Sequence, residues 1–142
     1  MYYTGGYDIT SRMRWKTSKT AVYNLSYHLI WCPKFRRPVL ANGVEKRLLE
    51  LIKEKAEQIK VEIVEANIMP DHVHLFVKTQ PVHQPQFVVG QIKGYTSRIL
   101  RQEFPKLKSR LPTLWTRSYY VDSVGKLNEY TIRKYVEEQK GK

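Results

Sequence analysis

Between Ala21 and Cys32 the residues Tyr23, Leu25, Tyr27, Leu29 and Trp31 alternate with Asn24, Ser26 and His28. A period of two marks a strand with one buried and one polar face, and it puts His28 on the polar one. Pro33 and Pro38 end that strand in the basic loop Pro33-Lys34-Phe35-Arg36-Arg37-Pro38. From Asn42, a candidate cap, to about Lys60 the period becomes helical, with Val44, Leu48, Leu51, Ile52 and Ile59 on one stripe. Two more strands follow, one over Val61, Ile63 and Ala66 to Met69 and one over His72 to Thr79, joined by Pro70-Asp71. In the second, Val73, Leu75 and Val77 point one way while His72, His74 and Phe76 point the other.

A second helix is expected from Gln86 to Phe104, with Phe87, Ile92, Tyr95 and Ile99 as its apolar stripe. Gly94 in its interior requires either close approach of another backbone or a tolerated defect of about 1 kcal/mol. Leu114 to Val121 reads as a strand, Gly125 as a turn, and Asn128 as the cap of a last helix. The order β-α-β-β-α-β-α is that of an α+β, ferredoxin-like (split βαβ, RRM-like) antiparallel sheet, with helices on one face and one helix added at the end.

His72-Val73-His74 is the chain's most specific local feature. On a strand the two imidazoles lie on one face, roughly 7 Å apart along the backbone, and can share a metal ion. Paired half-buried polar histidines would look the same. Asp71 is equally a turn-former after Pro70 and a partner that could orient a ligating histidine.

Composition narrows the partner. The 142 residues suit one domain, and 25 lysines and arginines against 13 acids give a formal net charge of +12, which calls for a polyanion, nucleic acid before membrane. No apolar run spans a bilayer and the start lacks a signal peptide's pattern, so a cytoplasmic protein is expected. The lone Cys32 suits a reducing compartment and a packing role. Residues 1–20, rich in Tyr, Thr, Ser and Gly, read as a basic extension whose Arg12, Arg14, Lys16 and Lys19 could touch phosphate, ahead of a domain at 21–142.

On the last helix Ile132, Tyr135, Val136 and Gln139 share one face, so a phenol and a carboxamide stand one turn apart. Simple boundary packing of the tyrosine is the competing reading. Together with His-x-His, and with the segments Tyr27-His28-Leu29-Ile30-Trp31, Lys93-Gly94-Tyr95-Thr96-Ser97-Arg98 and Leu114-Trp115-Thr116-Arg117-Ser118-Tyr119-Tyr120, the chain from Tyr23 to Gln139 resembles the single-tyrosine HUH transposases of very small prokaryotic insertion sequences.

The resemblance implies that Tyr135 is a nucleophile and that His72, His74 and Gln139 hold Mg²⁺ or Mn²⁺. It further implies a homodimer that cuts and rejoins single-stranded, hairpin-bearing DNA through a 5′-phosphotyrosine, with no nucleotide cofactor. Lys34, Arg36, Arg37, Lys93, Arg98 and Arg101 are the candidate DNA contacts, with Phe35 or Tyr95 as stacking surfaces. Two alternatives share the charge: a binding-only, single-stranded nucleic-acid module, and a domesticated relative acting on chromosomal hairpins. A metal-dependent hydrolase would need more ligands near His72 than the sequence offers.

Overall fold

The structure, a computed structural model, describes residues 2–3, 16–17, 22–23, 25–123 and 129–142. Three short strands come first, β1 (Tyr2–Tyr3), β2 (Lys16–Thr17) and β3 (Val22–Tyr23), followed by β4 (Leu25–Trp31), a single 3₁₀ turn at Lys34–Arg36, α1 (Val44–Gln58), β5 (Glu62–Met69) and β6 (His72–Thr79). Then come α2 (Pro85–Glu103), α3 (Pro105–Arg110), β7 (Tyr120–Asp122) and α4 (Glu129–Glu138). The main sheet has the order β1-β5-β6-β4-β7, antiparallel throughout. Its β5-β6-β4-β7 part has the strand order expected of the split βαβ arrangement. Of the N-terminal extension, β1 pairs with Asn67 and Ile68 of β5, and β2 pairs with β3. Arg12, Arg14 and Lys19, like Asn24, Gly125 and Asn128, lie outside the described residues.

The two-residue period does what the sequence requires. Leu29 and Trp31 of β4, and Val73, Leu75 and Val77 of β6, face α1 and α2 and form the main core with Leu48, Leu51, Ile52, Val88, Ile92 and Leu100. On β5 both Ile63 and Ala66 belong to that core, three positions apart. A bulge between Ile63 and Glu65 makes this possible, because one extra residue resets the alternation and sends Glu65, Asn67 and Met69 to the other face.

Several local expectations change. Helix α1 starts at Val44 after Gly43, whose φ is 100°, and the Glu45 carboxylate accepts the Gly43 N–H at 3.2 Å in place of a cap by Asn42. The buried stripe of α2 is Val88, Val89, Ile92, Thr96 and Leu100. Phe87 falls outside it and stacks on His83 at 5.0 Å. The expected strand over 114–121 is interrupted. Leu114 O accepts from Lys34 N–H at 2.8 Å and Thr116 N–H donates to Cys32 O at 3.0 Å, but the strand proper begins only at Tyr120. Pro33 opposite Trp115 is a non-hydrogen-bonded pair, which tolerates proline, and just beyond it the Lys93 ammonium takes the carbonyls of Thr116 and Ser118 at 2.6 and 3.2 Å, so these acceptors are held by a side chain where the strand is interrupted.

Gly94 proves to be the tolerated defect: a Cβ built on it meets nothing within 4 Å. Gly94→Ala is therefore expected to stabilise the protein by about 1 kcal/mol, raising the melting temperature by a few degrees. Thermal melts of the two proteins check it.

Candidate active site

The sheet face opposite α1 and α2 is covered in part by α4. Ile30 of β4 and Cys32 just after the strand pack there against Tyr135 and Val136, with Ile132 and Tyr120 at the margin. Burial pushes the Cys32 thiol up to about 12, which suits a packing role. Beside this contact lies an open cavity of about 820 Å³. His72, His74, Glu65 and Asn67 line it from the sheet, Arg36 and Asp71 from the loops, and Ile132, Arg133, Val136 and Glu137 from α4.

His72 opposes Met69 at the β5–β6 turn. Its Nδ1 lies 2.9 Å from Asp71 Oδ1. A carboxylate only accepts, so Nδ1 carries the hydrogen and any lone pair the ring offers is on Nε2, which is the arrangement of a metal-ligating histidine and its orienting acid. Arg36 stands 3.8 Å from the other Asp71 oxygen and 3.2 Å from Glu137 of α4, bridging the turn and the helix.

His74 is 8% exposed. Burial, and then the neighbouring His28 and His72, push it down to about 4, so it is neutral at physiological pH and can offer a lone pair. Its Nε2 is 3.0 Å from Nδ1 of His28, which stacks on Phe76 with centroids 4.4 Å apart. Both histidines thus fit a divalent ion in chemistry, His72 directly and His74 once its ring turns from His28 or binds through Nδ1. Gln139 does not line the cavity, and among the described residues no group of three or more His, Cys, Asp or Glu side chains converges on a metal position.

Tyr135 and Gln139 meet instead at Ser118. Ser118 Oγ donates to Gln139 Oε1 at 2.8 Å and is 2.8 Å from the Tyr135 hydroxyl. While the Ser118 hydrogen goes to Gln139 the neutral phenol donates to Ser118; once the phenol ionises the hydroxyl can turn and donate to the phenolate, and in that sense the contact lowers Tyr135. Burial raises Tyr135 to about 12 against the lowering influence of Ser118, so the docked phenol is protonated at neutral pH. Ser118→Ala is expected to raise Tyr135 further, because the lowering contact is removed while the burial stays. A ¹³Cζ-tyrosine NMR titration from pH 9 upward reads it directly, and an unchanged or lower value contradicts the assignment.

The remaining candidates are spread over both faces. Lys93 is drawn to the Thr116 and Ser118 carbonyls and lowered to about 8 by burial. Arg101 donates to the carbonyls of Leu111 and Pro112. Arg98 and Lys55 flank the Tyr95 ring at 5.8 and 5.3 Å, and the Tyr95 hydroxyl donates to Glu54 at 2.9 Å. Lys34, Arg36 and Arg37 are grouped in the turn beside the cavity. Sequence reasoning did not pick out Ser118, nor the contact of His28 with His74. For His28 a signal existed, since a polar position on a strand neighbouring β6 had to fall on the histidine face.

This fold and this cavity define a basic, ferredoxin-like α+β domain with a cleft between its open sheet face and a terminal helix. Comparison with known proteins makes the definition specific. The family described as IS200-like transposases matches residues 21–139. The ISDra2 transposase TnpA of Deinococcus radiodurans is 36% identical over 129 residues, spanning 89% of this chain and 92% of that protein. The transposase of insertion sequence element IS200 from Salmonella typhimurium is 32% identical over 119 residues, 82% of this chain and 78% of the relative. A crystal structure from D. radiodurans, also described as a transposase, superposes with a TM-score of 0.81 at 36% identity, over 87% of this chain and 97% of that one. A REP-associated tyrosine transposase solved with a REP hairpin shares the fold, with a TM-score of 0.54 at 15% identity over 85% of this chain and 69% of that one.

The chain belongs to the IS200-like transposase family. It is a transposase of the insertion-sequence type, an enzyme that cuts and transfers DNA strands. No helix among the described residues is long and apolar enough to cross a membrane.

Proposed function

We propose that this transposase cleaves and rejoins single-stranded DNA at the hairpin-bearing ends of its element, with Tyr135 as nucleophile. One observation carries the reading: α4, which bears Tyr135, forms a wall of the cavity that His72 and His74 line. In the reaction a bond forms from Tyr135 Oη to phosphorus and the bond to the 3′ oxygen breaks, so a 3′ hydroxyl leaves and a 5′-phosphotyrosine remains. A second 3′ hydroxyl attacking the same phosphorus reverses these changes and joins strands without ATP.

His72 and His74, with Gln139 as the third donor, would hold Mg²⁺ or Mn²⁺. Such an ion supplies charge stabilisation to the phosphoryl oxygens. Asp71 holds the His72 ring in its ligating tautomer, and Arg36 ties Asp71 to α4 through Glu137. In the described pose Tyr135 is protonated and docked on Ser118, so reaching a phosphate in the cavity requires the phenol to leave that contact and lose its proton. In a homodimer the helix of a second copy is an additional source of Tyr135 and Gln139. Lys34, Arg36 and Arg37 beside the cavity, with Lys93, Arg98 and Arg101 beyond it, are the proposed phosphate contacts, and binding through them should weaken steeply with salt.

The test is a denaturing gel with end-labelled hairpin DNA carrying an unpaired flank and Mn²⁺. The expected product is a protein–DNA adduct that survives denaturant, together with a free 3′-hydroxyl fragment. Cleavage that releases a free 5′-phosphate with no adduct would mean that water, not a tyrosine, attacks.

A further inference from the structure

The turn after β4 reaches the cavity through Arg36, yet its exposed Phe35 belongs to neither buried apolar cluster. Phe35 and Arg36 both have positive φ, 61° and 53°. Bulky residues rarely adopt this left-handed conformation, and it persists only where the surroundings enforce it. Here the Phe35 N–H donates to Lys142 O at 2.7 Å and the Arg36 N–H to Pro33 O at 2.8 Å. The conformation turns the Phe35 ring outward, 39% exposed, with the Lys34 ammonium 5.1 Å from its centroid. The next residue, Arg36, lines the cavity and is paired with Asp71, which itself holds His72.

We propose that Phe35 is a stacking platform for an unpaired DNA base next to the phosphate in the cavity, with Lys34 on that nucleotide's own phosphate, so that this turn selects single-stranded over duplex DNA at the cavity mouth. The proposal rests on the reading of the cavity as the place where a strand is cut. A base inside a duplex is covered on both faces by its neighbours, whereas an unpaired base offers a free face to an aromatic ring. Lysine and arginine attract either form of DNA, so charge alone cannot make the distinction. An exposed ring held in a disfavoured backbone conformation beside the cavity can. Tyr95, the other stacking candidate, belongs to the helical layer, its hydroxyl tied to Glu54.

Fluorescence anisotropy tests this with two labelled oligonucleotides at fixed salt and without divalent metal: a hairpin with an unpaired flank, and the same hairpin with the flank made duplex. Wild-type protein is expected to prefer the unpaired flank. Phe35→Ala and Phe35→Leu should lose roughly 5- to 150-fold in affinity for it while binding the duplex-flanked DNA unchanged, and Phe35→Trp should restore the preference. A 2-aminopurine in the flank should be quenched by the wild-type and Trp proteins only. Ala and Leu variants that keep the wild-type preference, or that weaken equally on both DNAs, overturn the assignment and leave the cleavage reading intact. Wild-type protein that binds neither DNA overturns both.

Discussion

Replacing Tyr135 by phenylalanine is expected to abolish covalent capture of single-stranded DNA while leaving the domain folded and DNA binding within about twofold of wild type. The ring is 9% exposed and packs on Ile30, Cys32 and Val136, contacts that phenylalanine preserves. Only the hydrogen bond to Ser118 is lost, worth about 1 kcal/mol. With Tyr135 as the proposed nucleophile the missing atom is the one that would bond to phosphorus, so the loss is expected in chemistry and not in structure. Tyr120 and Tyr130 do not substitute for it on this account: the Tyr120 hydroxyl donates to Asp122 at 2.9 Å, and Tyr130 is 72% exposed outside the cavity lining. Denaturing gels report the adduct, melting curves the fold, and anisotropy the binding.

His72→Ala should be nearly as damaging, for a different reason. It removes a cavity-lining imidazole whose Nδ1 is already held by Asp71. Mn²⁺ affinity measured by titration calorimetry is expected to fall below detection, and cleavage with it, whereas hairpin binding in the absence of metal should survive. Asp71→Asn separates orientation from ligation. An amide cannot replace the carboxylate's charge but keeps an oxygen for Nδ1–H, so metal affinity should drop by only about 10- to 100-fold. Equal losses in the two variants would mean that Asp71 does more than orient His72. Undiminished Mn²⁺ binding in His72→Ala would move the metal elsewhere.

The parts of this site that alternation encodes were legible in the sequence. A strand's faces follow directly from its two-residue period, so the placing of His72 and His74 opposite Val73, Leu75 and Val77 needed no structure. The same rule put His28 on the polar face, but its 3.0 Å contact with His74 depends on β4 lying next to β6, 46 residues away. Ser118 was less accessible still. It lies where the strand expected over 114–121 is interrupted, and there the carbonyls are taken by a lysine 23 and 25 residues distant. Contacts of this kind are made by tertiary packing and leave no local period. The Asn42 cap and the Phe87 stripe differ for a smaller reason: a glycine with positive φ and a buried glutamate relocate the start of α1, and a one-position rotation of α2 exchanges Phe87 for Val88.

The two halves of the site, the histidine cavity and the Tyr135–Ser118–Gln139 group, share α4 but are not joined in the described pose. Whether Tyr135 is the residue that crosses between them is read most directly by mapping the covalent product. Wild-type protein incubated with Mn²⁺ and a hairpin oligonucleotide bearing an unpaired flank would be digested with trypsin and nuclease, and the residual nucleotide located by tandem mass spectrometry. The expected product is a 5′-phosphodiester on Tyr135 alone. The modification on any other residue, or efficient strand cleavage with no modified peptide, would contradict it.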